Sequence, residues 1–159
     1  MAYTRICVAA ALQRYLDITP IAARIRDLAG VLAAAYRVPI SVLSVEVPVE
    51  LLPDVETMEE KIERYAEPLR VEDLKVDIAL RKGRPSTAII AHVQAIGADL
   101  LIIGSHSKRG PLDVGLGSTA AALLRDLETT VLMVRPTESE QEAARELMIP
   151  RYPIVFPYG

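Results

Sequence analysis

Residues 98–135, ADLLIIGSHSKRGPLDVGLGSTAAALLRDLETTVLMVR, decide the fold. The apolar run Leu100–Ile103 stops at Gly104. A polar, basic loop, Ser105–Gly110, follows, then Pro111–Leu116 and the triplet Gly117-Ser118-Thr119. A helical pattern over Ala120–Leu127 leads into a second apolar run, Val131–Val134. The segment reads as strand, loop, helix, strand. Gly104 lets the chain leave the strand at dihedrals other residues avoid, and lets another group approach the backbone. Gly117, Ser118 and Thr119 set small residues and two hydroxyls where a helix begins. Free amides at a helix start attract anions. With Lys108 and Arg109 in the loop, the segment has the parts of a phosphate cradle.

Upstream, the same alternation repeats. Arg5 to Ala10 or Ala11 predicts a buried first strand, and Leu12–Asp17 a connector. Thr19-Pro20 predicts a helix start, with Thr19 as N-cap and Pro20 at the first helical position. That helix runs to about Tyr36, with Ala22, Ile25, Leu28, Ala29 and Leu32 on its inner stripe; Arg24, Arg26 and Asp27 read as its wet face. A second strand, Ile40–Val47, follows Pro39. Asp54–Leu69 is helical, with Met58, Ile62 and Tyr65 inward and its Glu and Lys residues solvated. Leu74–Leu80 alternates and predicts a third strand, polar on part of one face, as at an edge position or under partial cover. Gly83-Arg84-Pro85 turns into a helix carrying Ala88, Ile89, Val93 and Ile96 inward, which Gly97 ends in a left-handed conformation. Strands separated by helix-length connections predict an open, doubly wound parallel α/β sheet.

The chain continues past this pattern, so 1–137 reads as one domain and 138–159 as a C-terminal extension. Ser139 and Glu142 have the spacing of a capping box for a short helix to about Met148. Pro150–Gly159 carries too many prolines for a helix. It also gathers Tyr152, Phe156 and Tyr158, which predicts docking on the domain or on a partner subunit.

A length of 159 residues suits one domain with one core, and with one Phe, six Tyr and no Trp that core is aliphatic. A net charge of −3 argues against binding nucleic acid through bulk electrostatics. Cys7 is the only cysteine, so no intrachain disulfide forms and zinc spacing is missing. No apolar run is long enough to cross a bilayer, and no secretory leader is evident, so a soluble cytoplasmic protein is expected. Neither a Walker sequence nor a dinucleotide fingerprint is present. His92 reads as a structural or surface histidine.

The stretches GADLLIIGSHS and VLMVRP, with Gly104, Gly117 and Ser118 at their spacing, resemble the universal stress protein family. The family's ATP-binding members place a second Gly three residues after the first; here that position is Ser107. The resemblance runs from Arg5 to about Pro136. It implies an adenine nucleotide alpha hydrolase-like sheet of five strands in the order 3-2-1-4-5. It further implies an ATP or AMP site at the carboxyl ends of the central strands, with Mg2+ accompanying ATP. An Asp after strand one would contribute, as would the backbone of Val45 at the end of strand two. The Gly104–Thr119 segment would hold ribose and phosphates, with Ser105, His106, Ser107, Lys108, Gly117, Ser118 and Thr119 as candidates. Read in register with strand one, the Asp position falls on Ala11. Read back from the helix start, it falls on Asp17, through Asp17-Ile18-Thr19. The resemblance also implies a homodimer paired through the edge strand Val131–Val134.

Two functions follow as expectations. One is a regulatory protein that binds an adenine nucleotide. The other is an interaction module, with an unidentified protein partner, that has lost the nucleotide; Ser107, Ala11 and the long connector favour it. No general base is positioned for turnover, so a slow ATPase or self-phosphorylating protein ranks third.

Overall fold

A computed structural model of the chain describes residues 3–47, 56–105 and 118–149. Strands β1 (Ile6–Ala9), β2 (Ile40–Glu46), β3 (Val76–Lys82), β4 (Leu100–Gly104) and β5 (Thr130–Val134) alternate with helices α1 (Pro20–Tyr36), α2 (Met58–Val71), α3 (Pro85–Ile96) and α4 (Ser118–Asp126). Helix α5 (Glu138–Leu147) follows. The five strands form one sheet in the order β3-β2-β1-β4-β5, and every pairing is parallel. β3 lies at an edge, one of the two readings its partly polar face left open.

Both faces of the sheet are covered, which is why the central strands read as nearly unbroken apolar runs. Ile6, Val8, Ile40, Val42, Leu100 and Ile102 point to one side, against Ala22, Ile25, Ala29 and Ala33 of α1 and Ile62, Tyr65 and Leu69 of α2. Cys7, Leu43, Ala79, Leu101 and Ile103 point to the other, against Ile89 and Val93 of α3 and Ala120 and Leu123 of α4. Of the inner stripes the periodicity picks out, Ala22, Ile25, Ala29, Ile62, Tyr65, Ile89 and Val93 are buried, while Ala88 lies outside the core clusters. Ala33, Lys61, Ala66, Leu69 and His92 are buried without having been singled out for the core.

Helix ends follow local chemistry. The Thr19 side chain accepts from the Ala22 amide, and Pro20 opens α1. Gly97 closes α3 at φ 69°, in the left-handed region.

Several expectations shift. β3 runs two residues later than predicted, because Asp73 at φ 63° turns the chain just before it. α2 starts at Met58 behind a capping box of Thr57 and Glu60 rather than at Asp54; residues 48–55 lie outside the described residues. The capping box of α5 is Thr137 with Glu140, not Ser139 with Glu142. Both pairs have the right spacing, but Glu140 is also held by Arg24 of α1, at 2.8 Å through each of two nitrogens. The expected wet face of α1 is therefore partly covered: Arg24 clamps α5, and Arg26 lies over the Tyr65 ring at 5.4 Å. The expected docking of Pro150–Gly159 falls outside the described residues, yet the chain just before it does dock. Leu16 N–H donates to Leu147 C=O and Ile149 N–H to Arg14 C=O, around an antiparallel bridge of Tyr15 with Met148.

Candidate functional site

Strand order reverses between β1 and β4, and in such sheets the crevice beyond the carboxyl ends of those strands receives ligands. Three segments border it: the connector after β1, the end of β2, and the end of β4 with the start of α4.

The connector is the most heavily built. The Leu12 side chain is buried in the α1–α2 side of the core. Lys61 of α2 is itself buried and donates its ammonium to the carbonyls of Leu12, at 2.7 Å, and of Tyr15. Burial holds the Lys61 pKa below its ordinary value, while the carboxylates of Glu56 and Asp17 act against that. The two carbonyls take the place of water around the charge. Gln13 is only 7 % exposed. Its carboxamide donates to Val47 C=O at 3.0 Å and accepts from Val47 N–H at 2.9 Å.

At β2 the direction of each main-chain group follows from its hydrogen bonds. Ile40 N–H donates to Lys75 C=O and Glu46 C=O accepts from Gly83 N–H, both on the β3 side. Leu43 C=O accepts from Ala10 N–H on the β1 side. Alternation along a strand then turns the main-chain groups of Val45 and Val47 toward the crevice. Ser44 Oγ donates to Ala10 C=O at 2.8 Å and fixes the end of β1.

At β4, Gly104 is not in the left-handed region; among the described residues the glycines there are Gly83 and Gly97. The strand exit therefore needs no glycine dihedral, contrary to the expectation from sequence. The close approach is real, but its partner is a core side chain. A Cβ on Gly104 would lie 2.8 Å from Ile25 Cδ1 and 3.8 Å from Val134 C=O. Ser105 N–H continues the ladder by donating to Val134 C=O at 3.0 Å. The described part of α4 begins at Ser118, so Ser118 and Thr119 lie at its amino-terminal end. His106, Ser107, Lys108 and Gly117 lie outside the described residues.

Asp17 turns to α2. Its carboxylate accepts from Ile18 N–H at 2.7 Å and pairs with Arg64 at 3.0 Å, with 60 % of the side chain exposed. The Ile18 amide first, and then Arg64, hold its pKa below the ordinary carboxylate range. Ala11, the other reading, is an exposed residue of the connector without a polar side chain. The structure thus brings Val45, Gly104, Ser105, Ser118 and Thr119 to the carboxyl end of the sheet and points the Asp17 carboxylate at α2. Gln13 and Lys61 escape a reading by periodicity, because their partners are main-chain groups distant in sequence.

Other polar chemistry is structural. His92 is buried and its Nε2 lies 2.9 Å from Ser41 Oγ; burial first, then the Arg81 charge, lowers its pKa. Its Nδ1 lacks a partner among the described residues. Burial pushes the Cys7 thiol up to about 12, so it stays a thiol. A cavity of about 810 Å³, lined by Arg5, Arg37, Asp73 and Lys75 among others, lies at the opposite, amino end of the strands. Among the described residues no group of three or more His, Cys, Asp or Glu side chains is placed to hold a metal ion. No helix among them is long and apolar enough to cross a membrane.

Solved structures share this architecture at low sequence identity. A universal stress protein solved in complex with cAMP matches at a TM-score of 0.64 and 22% identity, over 84% of this chain and 98% of that one. A universal stress protein from Archaeoglobus fulgidus matches at 0.66 and 21%, over 83% and 98%. Another from Archaeoglobus fulgidus, in complex with dAMP, matches at 0.60 and 19%, over 84% and 99%. No curated protein matches the chain. The model of the universal stress protein family matches residues 9–135, from the end of β1 to the residue after β5. With that match over most of its length and the strand order to go with it, the chain belongs to the universal stress protein family.

Proposed function

We propose that the protein is a regulatory adenine-nucleotide-binding protein rather than a turnover enzyme. The observation that carries this reading is the main-chain edge of β2. Val45 and Val47 turn their amide and carbonyl groups into the crevice between β1 and β4. Val47 already holds a donor–acceptor pair from Gln13. The 6-amino group and N1 of adenine form the same kind of pair, one donor beside one acceptor. Two of the solved family members named above hold an adenine nucleotide, as cAMP and dAMP.

In this reading the main chain of Val45 holds the base. The amides and hydroxyls of Ser118 and Thr119, at the start of α4, take the phosphates of AMP or ATP. Ser105, His106, Ser107, Lys108 and Gly117 complete the phosphate side, and Asp17 joins the ribose side only if it exchanges Arg64 for ligand. Mg2+ enters with the phosphates of ATP. The chain acts as a homodimer in the cytoplasm, paired along β5, an edge strand whose Leu132 is exposed.

Titration calorimetry with AMP and ATP, using GTP as the control, tests this function; sedimentation velocity on the same samples reads the dimer. Binding of the adenine nucleotides in the micromolar to submillimolar range is the expected result. No heat from either at millimolar concentration would overturn it.

The second reading, an interaction module without nucleotide, is favoured by the pairing of the Asp17 carboxylate with Arg64. It predicts no calorimetric signal and a purified sample free of nucleotide.

A further inference from the structure

We propose that Gln13 is a built-in occupant of the base-binding edge, and that a nucleotide must displace its side chain to bind. The inference rests on the adenine-binding reading above and names what regulates that site.

The last regular rung between β1 and β2 is Ala10 N–H to Leu43 C=O, at 2.9 Å. Two residues beyond Leu43 comes Val45, with its main chain facing the crevice. Two residues beyond that, Gln13 closes the gap again by gripping both main-chain groups of Val47. Val45 therefore sits in a slot with a backbone rung below and the Gln13 side chain above. Successive like-facing residues of a strand are about 6.6 Å apart. A purine lying edge-on to Val45 fills that spacing and meets the Gln13 side chain.

A carboxamide fits this role because it is a donor and an acceptor side by side, the pattern the base would bring. Gln13 is buried and both of its hydrogen bonds run to main chain, so the grip is complete rather than incidental. Its neighbours are fixed from other directions. Leu12 is in the core, Lys61 holds the carbonyls of Leu12 and Tyr15, and Ile149 N–H holds Arg14 C=O. The main chain of the connector is thus pinned on both sides of residue 13. Displacement is a rotation of one side chain, not an opening of the connector. Val47 loses two hydrogen bonds in that step, and the affinity of the native chain is lowered by the cost of making the competent state.

The test is AMP titration by calorimetry of the native chain, Gln13→Ala and Gln13→Glu, with thermal melts on all three. The glutamate variant is nearly isosteric and keeps the acceptor for Val47 N–H, but loses the donor for Val47 C=O. It guards against a loss of fold in the alanine variant. The dissociation constant should fall on the order of tenfold in Gln13→Ala, and by less in Gln13→Glu, since two neutral hydrogen bonds no longer compete. A second readout uses the native chain alone: the Gln13 side-chain NH2 signals in a 15N-labelled sample should move at saturating AMP. Equal or weaker AMP binding by both variants overturns the Gln13 proposal and leaves the nucleotide reading standing. No AMP binding by any of the three overturns both.

Discussion

Replacing Gly104 with alanine sets a methyl carbon 2.8 Å from Ile25 Cδ1, where about 3.5–4.0 Å is an ordinary carbon contact. Ile25 is buried on the inner face of α1, so it cannot swing into solvent. Relief requires a new rotamer or a shift of α1, and overpacking of this kind costs about 1–3 kcal/mol. Removing a glycine from a strand returns about 0.5–1 kcal/mol. The net loss is then about 1–2 kcal/mol, or roughly 2–8 °C in Tm for a chain of this size. Ile25→Val deletes the clashing carbon alone and by itself costs about 0.5–1.5 kcal/mol. Together the two changes should couple favourably by about 1 kcal/mol or more, as contacting residues do. Urea unfolding of the four chains of this cycle measures it, with AMP titration of the double variant as the functional arm. If Gly104 is small for the sake of Ile25, the double variant recovers both stability and AMP binding. Strict additivity, or an alanine variant as stable as the native chain, would refute the packing argument. A stable double variant that no longer binds AMP would show instead that the glycine serves the ligand.

The ion pair between α1 and α5 makes a pH-dependent prediction. The Arg24 guanidinium first, and then the Thr137 amide, lower the Glu140 pKa to about 2, well below the ordinary carboxylate range. A carboxylate depressed in the folded state adds stability above its unfolded pKa and loses it as pH falls toward the folded one. Glu140 is mostly covered but Arg24 is 45 % exposed, so solvent screening trims the pair to about 1–2 kcal/mol. Arg24→Ala should destabilise the chain by that amount at pH 6, with the gap to the native chain about half closed near pH 3.3. Urea midpoints across that range check it, and a gap that stays constant would count against the assignment. Lys61→Met should cost about 1–3 kcal/mol, because the carbonyls of Leu12 and Tyr15 lose a charged donor and gain no replacement. Chemical denaturation measures that loss, and a neutral result would mean that water reaches the connector.

The repeating pattern of apolar run, turn and helix stripe was enough to read the sheet and its helices. Local signals carried their own weight: Thr19-Pro20, Gly97 and the apolar stripes all act over one or two turns of chain. The misses share a different cause. Lys61 lies among acidic neighbours, and periodicity assigns it to water, yet it serves two carbonyls some fifty residues earlier. Gln13 sits in a stretch without period and finds Val47 across the crevice. Thr137/Glu140 and Ser139/Glu142 are equal as local motifs, and a guanidinium on α1 distinguishes them. The Asp reading stayed divided between Ala11 and Asp17 because a lengthened connector has no register of its own. Its shape is set by α2 and by the residues after α5. Gly104 was rightly singled out for size, but the neighbour that demands it belongs to α1.

The antiparallel contact of Tyr15 with Met148 joins parts of the chain about 130 residues apart. A chain emerging from the ribosome makes its N-terminal end first. The strip around Tyr15 then waits for about 130 further residues to be made before its mate appears, while the sheet beneath it can already assemble. The mouth of the crevice is in this sense finished only after the five strands beneath it, and a chain ended before Met148 would carry a sheet with an unfinished rim.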